Sequence, residues 1–294
     1  MISRSGPRLS RRVTSQIASQ TYPVPGTCCG PLQESYRWTK GLNCSKLLGE
    51  SSTRWLAWLP ARKPHGVNLL AAFAFGASLR TFAYIDGFNL YYRALSRKPQ
   101  YKWLDLRQFS TFFLAPENEL HEIKYYTARV SGKRDPGQPE RQNAYLRALK
   151  TIDGLSIFYG SFLPKQITRP LVTPISGLPL YVEVLTTEEK GSDVNLASHL
   201  IWDAMKDVFD VAVVVSKDTD LVEPIRIVAK EIGKPVGVIC PDGACPKGLR
   251  EVATFVRHVD HGSLSACQLP RVVRSRIGRE IHRPKEWLPP STGN

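Results

Sequence analysis

The chain has 294 residues, 42% of them hydrophobic and 22% charged, with a formal net charge of +14. The apolar share is ordinary and supplies a packed core. The charge is uneven: residues 1–80 carry 11 Lys+Arg against 2 Asp+Glu, residues 265–294 carry 6 against 2, and residues 81–264 carry 23 against 22. That distribution excludes a uniformly basic nucleic-acid clamp, yet basic ends around a neutral body still suit a polyanionic partner.

No apolar run reaches the 18 or more residues of a membrane-spanning helix, and the longest candidate, Val67 to Leu79, lies too far from the N-terminus for a secretory signal. The six cysteines show neither a C-x-x-C pair nor zinc-like spacing with His, and read as idle thiols in a reducing, cytoplasmic setting. Residues 1–80 mix Ser, Arg, Pro and Gly without a sustained period and read as a basic disordered leader. Part of it, around Val67 to Leu79, is a candidate to lie against the main body.

From Thr81 the pattern alternates. Thr81 to Ile85 reads as a buried strand, Asn89 to Leu95 and Leu104 to Phe113 as helical stretches, and Glu122 to Val130 as a strand. Pro139 to Ile152 is helical, with Pro near its start and Gly154 beyond its end. Leu155 to Phe162 is a strand followed by a Pro-rich loop over Pro164 to Pro179, and Leu180 to Leu185 is another strand. Ser192 to Lys206 is a helix, Val211 to Ser216 the clearest buried strand, Asp220 to Ile232 a helix ended by Gly233, and Val236 to Cys240 the last strong strand. Strands alternating with helices predict a single α/β domain over residues 81–264, with a mostly parallel sheet covered on both faces. Beyond it the sequence predicts only a basic, Pro-containing tail over 265–294.

Two strands end in acids. Tyr84-Ile85-Asp86-Gly87-Phe88-Asn89 and Val213-Val214-Val215-Ser216-Lys217-Asp218-Thr219-Asp220 each run from an apolar strand straight into a helical pattern. Carboxyl ends of parallel strands share one edge, where ligands bind. A third acid, in Lys190-Gly191-Ser192-Asp193-Val194, opens a helix. At 100° per residue Leu196, Ala197, Leu200 and Ala204 fall within about 60° of Asp193, so this acid continues the buried stripe, while His199 lies about 120° away. Each acid has a structural alternative: Ser192 or Asp193 as a helix cap, Asp86-Gly87 as a turn, Asp220 with Glu223 as a capping box. The coincidence of the three places favours an acidic metal site, because crowded carboxylates repel and are commonly neutralised by a divalent ion. Hard oxygen ligands without His or Cys suit magnesium, and such a site activates water for attack at phosphorus. Lys190 and Lys217 flank the acids. The P-loop, G-x-G-x-x-G, G-x-S-x-G and H-E-x-x-H motifs are absent from the sequence. Tyr91, Tyr92, Trp103, Tyr125 and Tyr126 are candidates for base stacking or for packing.

The three acidic motifs, in this order and in strand–helix context, resemble those of the NYN domain family of PIN-like nucleases. The resemblance runs from Thr81 through the strand near Cys240 and extends toward Gly278 and Arg283-Pro284-Lys285-Glu286-Trp287. It implies a PIN-like Rossmannoid three-layer fold and a metal-dependent ribonuclease site, with Mg²⁺ or Mn²⁺ held by Asp86, Asp193, Asp218 and Asp220. Asn89 is then a polar helper in the catalytic set and Ser216 a supporting hydroxyl. The chain departs from the pattern at His199, where many members carry an aspartate. The expected activity is hydrolysis of RNA phosphodiesters, single-stranded RNA being favoured as partner. A non-catalytic RNA-binding adaptor and a phosphatase or nucleotide hydrolase stay open beside it.

Overall fold

In the computed structural model, residues 78–132, 135–177 and 179–289 are described. The expected leader, apart from its last three residues, lies outside them. The strand β1 (Leu79–Asp86) is buried at every position except Arg80. A short strand of that composition, apolar on both sides, belongs in the middle of a parallel sheet. It passes without a linker into α1 (Gly87–Leu90), which widens into a π turn over Tyr91–Leu95. The helix α2 (Leu106–Phe112), capped by the Asp105 carboxylate, leads to β2 (Asn118–Thr127), and α3 (Gln138–Leu149) to β3 (Leu155–Tyr159). After an excursion through β4 (Ser161–Pro170) and β5 (Tyr181–Lys190), the chain forms α4 (Ser192–Met205) and β6 (Val211–Val215). A turn at Thr219–Leu221 opens α5 (Val222–Arg226), which continues as a π turn over Ile227–Ile232 and stops at Gly233. Then come β7 (Val236–Cys240), α6 (Lys247–Val252), β8 (Phe255–His258) and α7 (His261–Ala266).

Six strands form one sheet in the order β3-β2-β1-β6-β7-β8, and every neighbouring pair is parallel. Strand alternation divides the core in two. Ala83 and Ile85 face a cluster with Leu90, Phe109, Tyr145 and Leu149, from α1, α2 and α3. Phe82 and Tyr84 face the opposite cluster with Leu196 and Leu200 of α4, Ile225 of α5 and Leu249 of α6. The result is the expected three-layer α/β sandwich. The order turns outward in both directions from β1 and β6, so the carboxyl ends of these two strands diverge to leave a crevice.

Three sequence expectations need correction. The Pro-rich stretch is not all loop: residues 161–170 pair antiparallel with β5 in a two-stranded ribbon separate from the main sheet, so Leu180 to Leu185 belongs to that ribbon as well. Pro164 is tolerated because a two-stranded ribbon has free edges that require no donor. A sixth sheet strand, β8, escaped notice because its four residues are only partly buried and carry Arg257 and His258. The tail is packed as well as basic. Strands β9 (Val272–Arg274) and β10 (Glu280–His282) form a hairpin, followed by a 3₁₀ turn at Lys285–Trp287. Val273, Ile281 and Trp287 point into the first core while Arg271, Arg274, Arg276 and Arg279 stay exposed. Trp287 meets Trp103 and Tyr145 at centroid distances of 6.3 and 6.2 Å. Arg283 donates to the carbonyls of Gln100 and Trp287. Single inward residues separated by basic ones give too weak a period to read as elements.

Candidate metal centre

The crevice at the ends of β1 and β6 is where the acids meet. Asp86 closes β1 on the side of Phe82 and Tyr84, the face that α4 covers, and is only 3% exposed. Its Oδ1 accepts from the backbone N–H of Asn89 at 2.9 Å and so caps α1. A Cβ on Gly87 would stand 2.5 Å from the Tyr126 carbonyl and 2.7 Å from the Tyr125 ring, so only glycine lets β1 turn into α1 against β2. Asp218 follows β6, and its carboxylate accepts from the Asp220 N–H at 3.0 Å. Asp193 stands in the first turn of α4, whose entry requires the left-handed Gly191 at φ 98°. The wheel reading holds: Leu196, Leu200 and Ala204 lie buried on the stripe that Asp193 begins.

Carboxylate oxygens of Asp86, Asp193 and Asp218 all lie within 4.8 Å of one another. Ser216 joins two of them: its hydroxyl donates to Asp86 Oδ2 at 2.9 Å and accepts from the Asp218 N–H at 3.0 Å. Asn89 Oδ1 accepts from the Lys217 N–H at 3.0 Å, fastening the loop after β6 to α1. Asn89 therefore fixes backbone within the site. Asp220 is exposed and outside the three-acid cluster, though near enough that its charge bears on Asp193. The capping box that was the structural alternative for Asp220 and Glu223 does not form. Asp218 is the cap, and Glu223 pairs with Arg226 at 2.7 Å.

The electrostatics follow from this crowding. Burial pushes the Asp86 carboxyl above its ordinary range; bonds from Asn89 and Ser216 pull it down, and the Asp218 charge pushes it up again. Asp193 is raised to about 6, first by burial and then by the charges of Asp86, Asp218, Glu189 and Asp220. The nearby lysines do not relieve them. Lys217 reaches Asp242 at 2.9 Å, and Arg93 approaches the same carboxylate at 3.5 Å. Lys190 pairs with Glu188 at 3.0 Å. Three hard oxygen donors gathered this closely, with the Asp86 and Asp193 carboxyls both raised, suit a divalent cation as counter-charge.

Sequence reasoning missed two groups. Glu189 accepts from the Ser192 N–H and hydroxyl at 3.1 and 2.8 Å and adds negative charge beside Asp193. Its place two residues before Gly191, at the end of a strand, was the available signal. Deeper between α4 and the sheet, one oxygen of Asp203 accepts from Tyr84 and from Lys124, both at 2.6 Å. His199 faces the same layer, with Nδ1 3.0 Å from the Tyr126 hydroxyl and its ring against Phe158. It stands to the side of the acids, as its wheel position requires. Burial and the Lys124 charge lower its pKa, against a raising influence from Asp203.

A three-layer parallel sheet with carboxylates gathered at its switch point defines a PIN-like protein. The chain belongs to the NYN domain family, whose model matches residues 80–260. Among curated proteins it is similar to 6-hydroxy-3-succinoylpyridine 3-monooxygenase HspA of Pseudomonas putida (strain DSM 28022 / S16). The two are 31% identical over 238 residues, covering 71% of this chain and 75% of that protein. Among solved structures it matches a protein of unknown function from Vibrio parahaemolyticus RIMD 2210633 at 19% identity and a TM-score of 0.40, over 63% of this chain and 94% of that one. Among the described residues no helix is long and apolar enough to cross a membrane.

Proposed function

We propose that the protein is a metal-dependent ribonuclease hydrolysing phosphodiester bonds of single-stranded RNA. The observation that carries this reading is the meeting of Asp86, Asp193 and Asp218 from three separate elements, with oxygens within 4.8 Å of one another. Hard donors of this kind suit Mg²⁺ or Mn²⁺, which when bound supplies positive charge for a phosphate and renders water more acidic. Asp86, Asp193 and Asp218 would hold the ion, and exposed Asp220 would add negative charge beside them. Ser216 and Asn89 hold two of the acids and their loop in place, and membership of the NYN family supports RNA as the substrate class. The free, buried thiols of Cys240, Cys245 and Cys267 suit a reducing cytoplasmic setting.

The test is degradation of a labelled single-stranded RNA by the purified chain in Mg²⁺, Mn²⁺ or EDTA, beside Asp218→Asn. Metal-dependent cleavage lost in the variant supports the reading. RNA bound but not cut by folded protein moves it to a non-catalytic adaptor. The likeness to HspA favours a second reading, in which the same acids serve a small hydroxylated pyridine. Oxygen uptake with 6-hydroxy-3-succinoylpyridine and a two-electron reductant, in the absence of RNA cleavage, would favour that one.

A further inference from the structure

Among the aromatic rings that belong to neither core, three touch one another near the acid-bearing segments. Phe88 lies on α1 two residues after Asp86, Tyr92 follows one turn later, and Phe162 sits near the base of β4. The Phe88 and Tyr92 rings are near-parallel, 16° apart with centroids at 6.3 Å, and Phe162 meets Phe88 edge-on at 5.5 Å. Tyr91 packs on the first core, but Phe88, Tyr92 and Phe162 pack on neither. Tyr92 is 62% exposed. Phe88 and Phe162 are half-buried beneath it, so the group presents an aromatic edge that a ligand could cover.

Their position says what. Phe162 pairs across the ribbon with Glu189, whose carboxylate holds Ser192 beside Asp193. Phe88 rides on the helix that Asp86 caps. Phe88 is two residues from Asp86, and Phe162 is paired with the Glu189 that holds the turn before Asp193, so the Phe88–Phe162 contact joins the segments flanking these two acids. An aromatic surface beside a hydrolytic centre takes a planar ring by stacking, with little preference among rings.

We infer that Phe88, Tyr92 and Phe162 form a stacking subsite for the planar ring of the substrate, beside the acids that act on the group joined to it. The inference rests on the acid cluster being the reacting centre. The ring comes from one of two sources, a nucleobase of RNA or a free hydroxylated pyridine.

The test compares the full chain with its Tyr92→Ala and Phe162→Leu variants. It measures binding, in EDTA so that turnover does not intrude, of a labelled single-stranded oligoribonucleotide, of the same oligomer made abasic at single positions, and of 6-hydroxynicotinate. Tyr92→Ala is expected to weaken binding of a ring-bearing ligand about tenfold. It should leave unchanged the oligomer abasic at the position where losing the base itself weakens wild-type binding. Weakening seen with the oligomer assigns a nucleobase; weakening seen only with 6-hydroxynicotinate assigns a free ring. Equal binding by wild type and both variants, or no binding of either ring, overturns the subsite. Cleavage assayed alongside separates the two claims. Ring-dependent binding without metal-dependent cleavage keeps the subsite and sinks the hydrolytic reading, whereas cleavage and binding indifferent to both variants do the reverse.

Discussion

The Ser216 hydroxyl donates to Asp86 Oδ2 at 2.9 Å while accepting from the Asp218 N–H at 3.0 Å, so one side chain ties the acidic end of β1 to the loop after β6. A hydroxyl has one proton and two lone pairs, and both kinds of site are used here. Ser216→Ala removes a bond that favours ionised Asp86 and leaves a buried oxygen short of a donor. The expected cost is about 1–3 kcal/mol in urea unfolding, together with weaker Mg²⁺ binding by calorimetry. An unchanged metal affinity would show that Ser216 serves the fold alone.

Asp86→Asn and Asp218→Asn each remove a charge from the three-acid cluster and are expected to lower the cleavage rate by more than about 100-fold, with the circular dichroism of the fold retained. Asp220 is exposed and outside the cluster, so Asp220→Asn should cost less than either. A rate for Asp86→Asn within a few-fold of wild type would remove it from the site.

Asp193 sets a pH dependence. Its carboxyl is raised from 3.8 to about 6 by burial and by the surrounding acids, so the fold favours its protonated form. The folded state then binds more protons than the unfolded one between those values, and the metal-free protein loses stability as pH rises through that window. Metal binding needs the ionised form and should tighten as pH rises through about 6. Asp193→Asn is expected to raise the melting temperature of the metal-free protein at pH 7 while abolishing metal binding. Parallel melting curves across pH 4–7 for wild type and variant would contradict this.

Asp203 and Lys124 are 10% and 11% exposed at their side chains, and the Tyr84 hydroxyl donates to the same Asp203 oxygen as Lys124. Asp203→Leu strands the Lys124 ammonium in the layer between α4 and the sheet, at an expected cost of about 3–5 kcal/mol. Adding Lys124→Met should restore most of it, because replacing both charges by packed apolar groups is far less costly than stranding one. Thermal melting of the two variants reads the difference.

Trp287 fills a gap between Trp103 and Tyr145 and is buried although it stands near the end of the chain. Trp287→Ala is expected to destabilise by about 3–5 kcal/mol. A chain stopped before Arg283 should be less stable still, since the Arg283 bonds go as well. Melting temperatures equal to wild type would show that the C-terminal segment is dispensable.

The sequence by itself determined the strands β1, β6 and β7, the helix α4 and the faces they present. Buried strands of a parallel sheet read as unbroken apolar runs, and a helical stripe is legible from spacing alone. It also marked Asp86, Asp193 and Asp218 as candidates, because each falls where a strand ends or a helix begins. The tertiary structure decided what depends on contacts between distant segments. It separated Asp220 from the three acids, made Asp218 the cap, and tied Lys217 to Asp242, a pairing that spacing does not show. The β4–β5 ribbon, the docked tail, and the Asp203–Lys124–Tyr84 contact were likewise hidden. Period and composition report which face of an element is apolar; only packing reports which partner meets it.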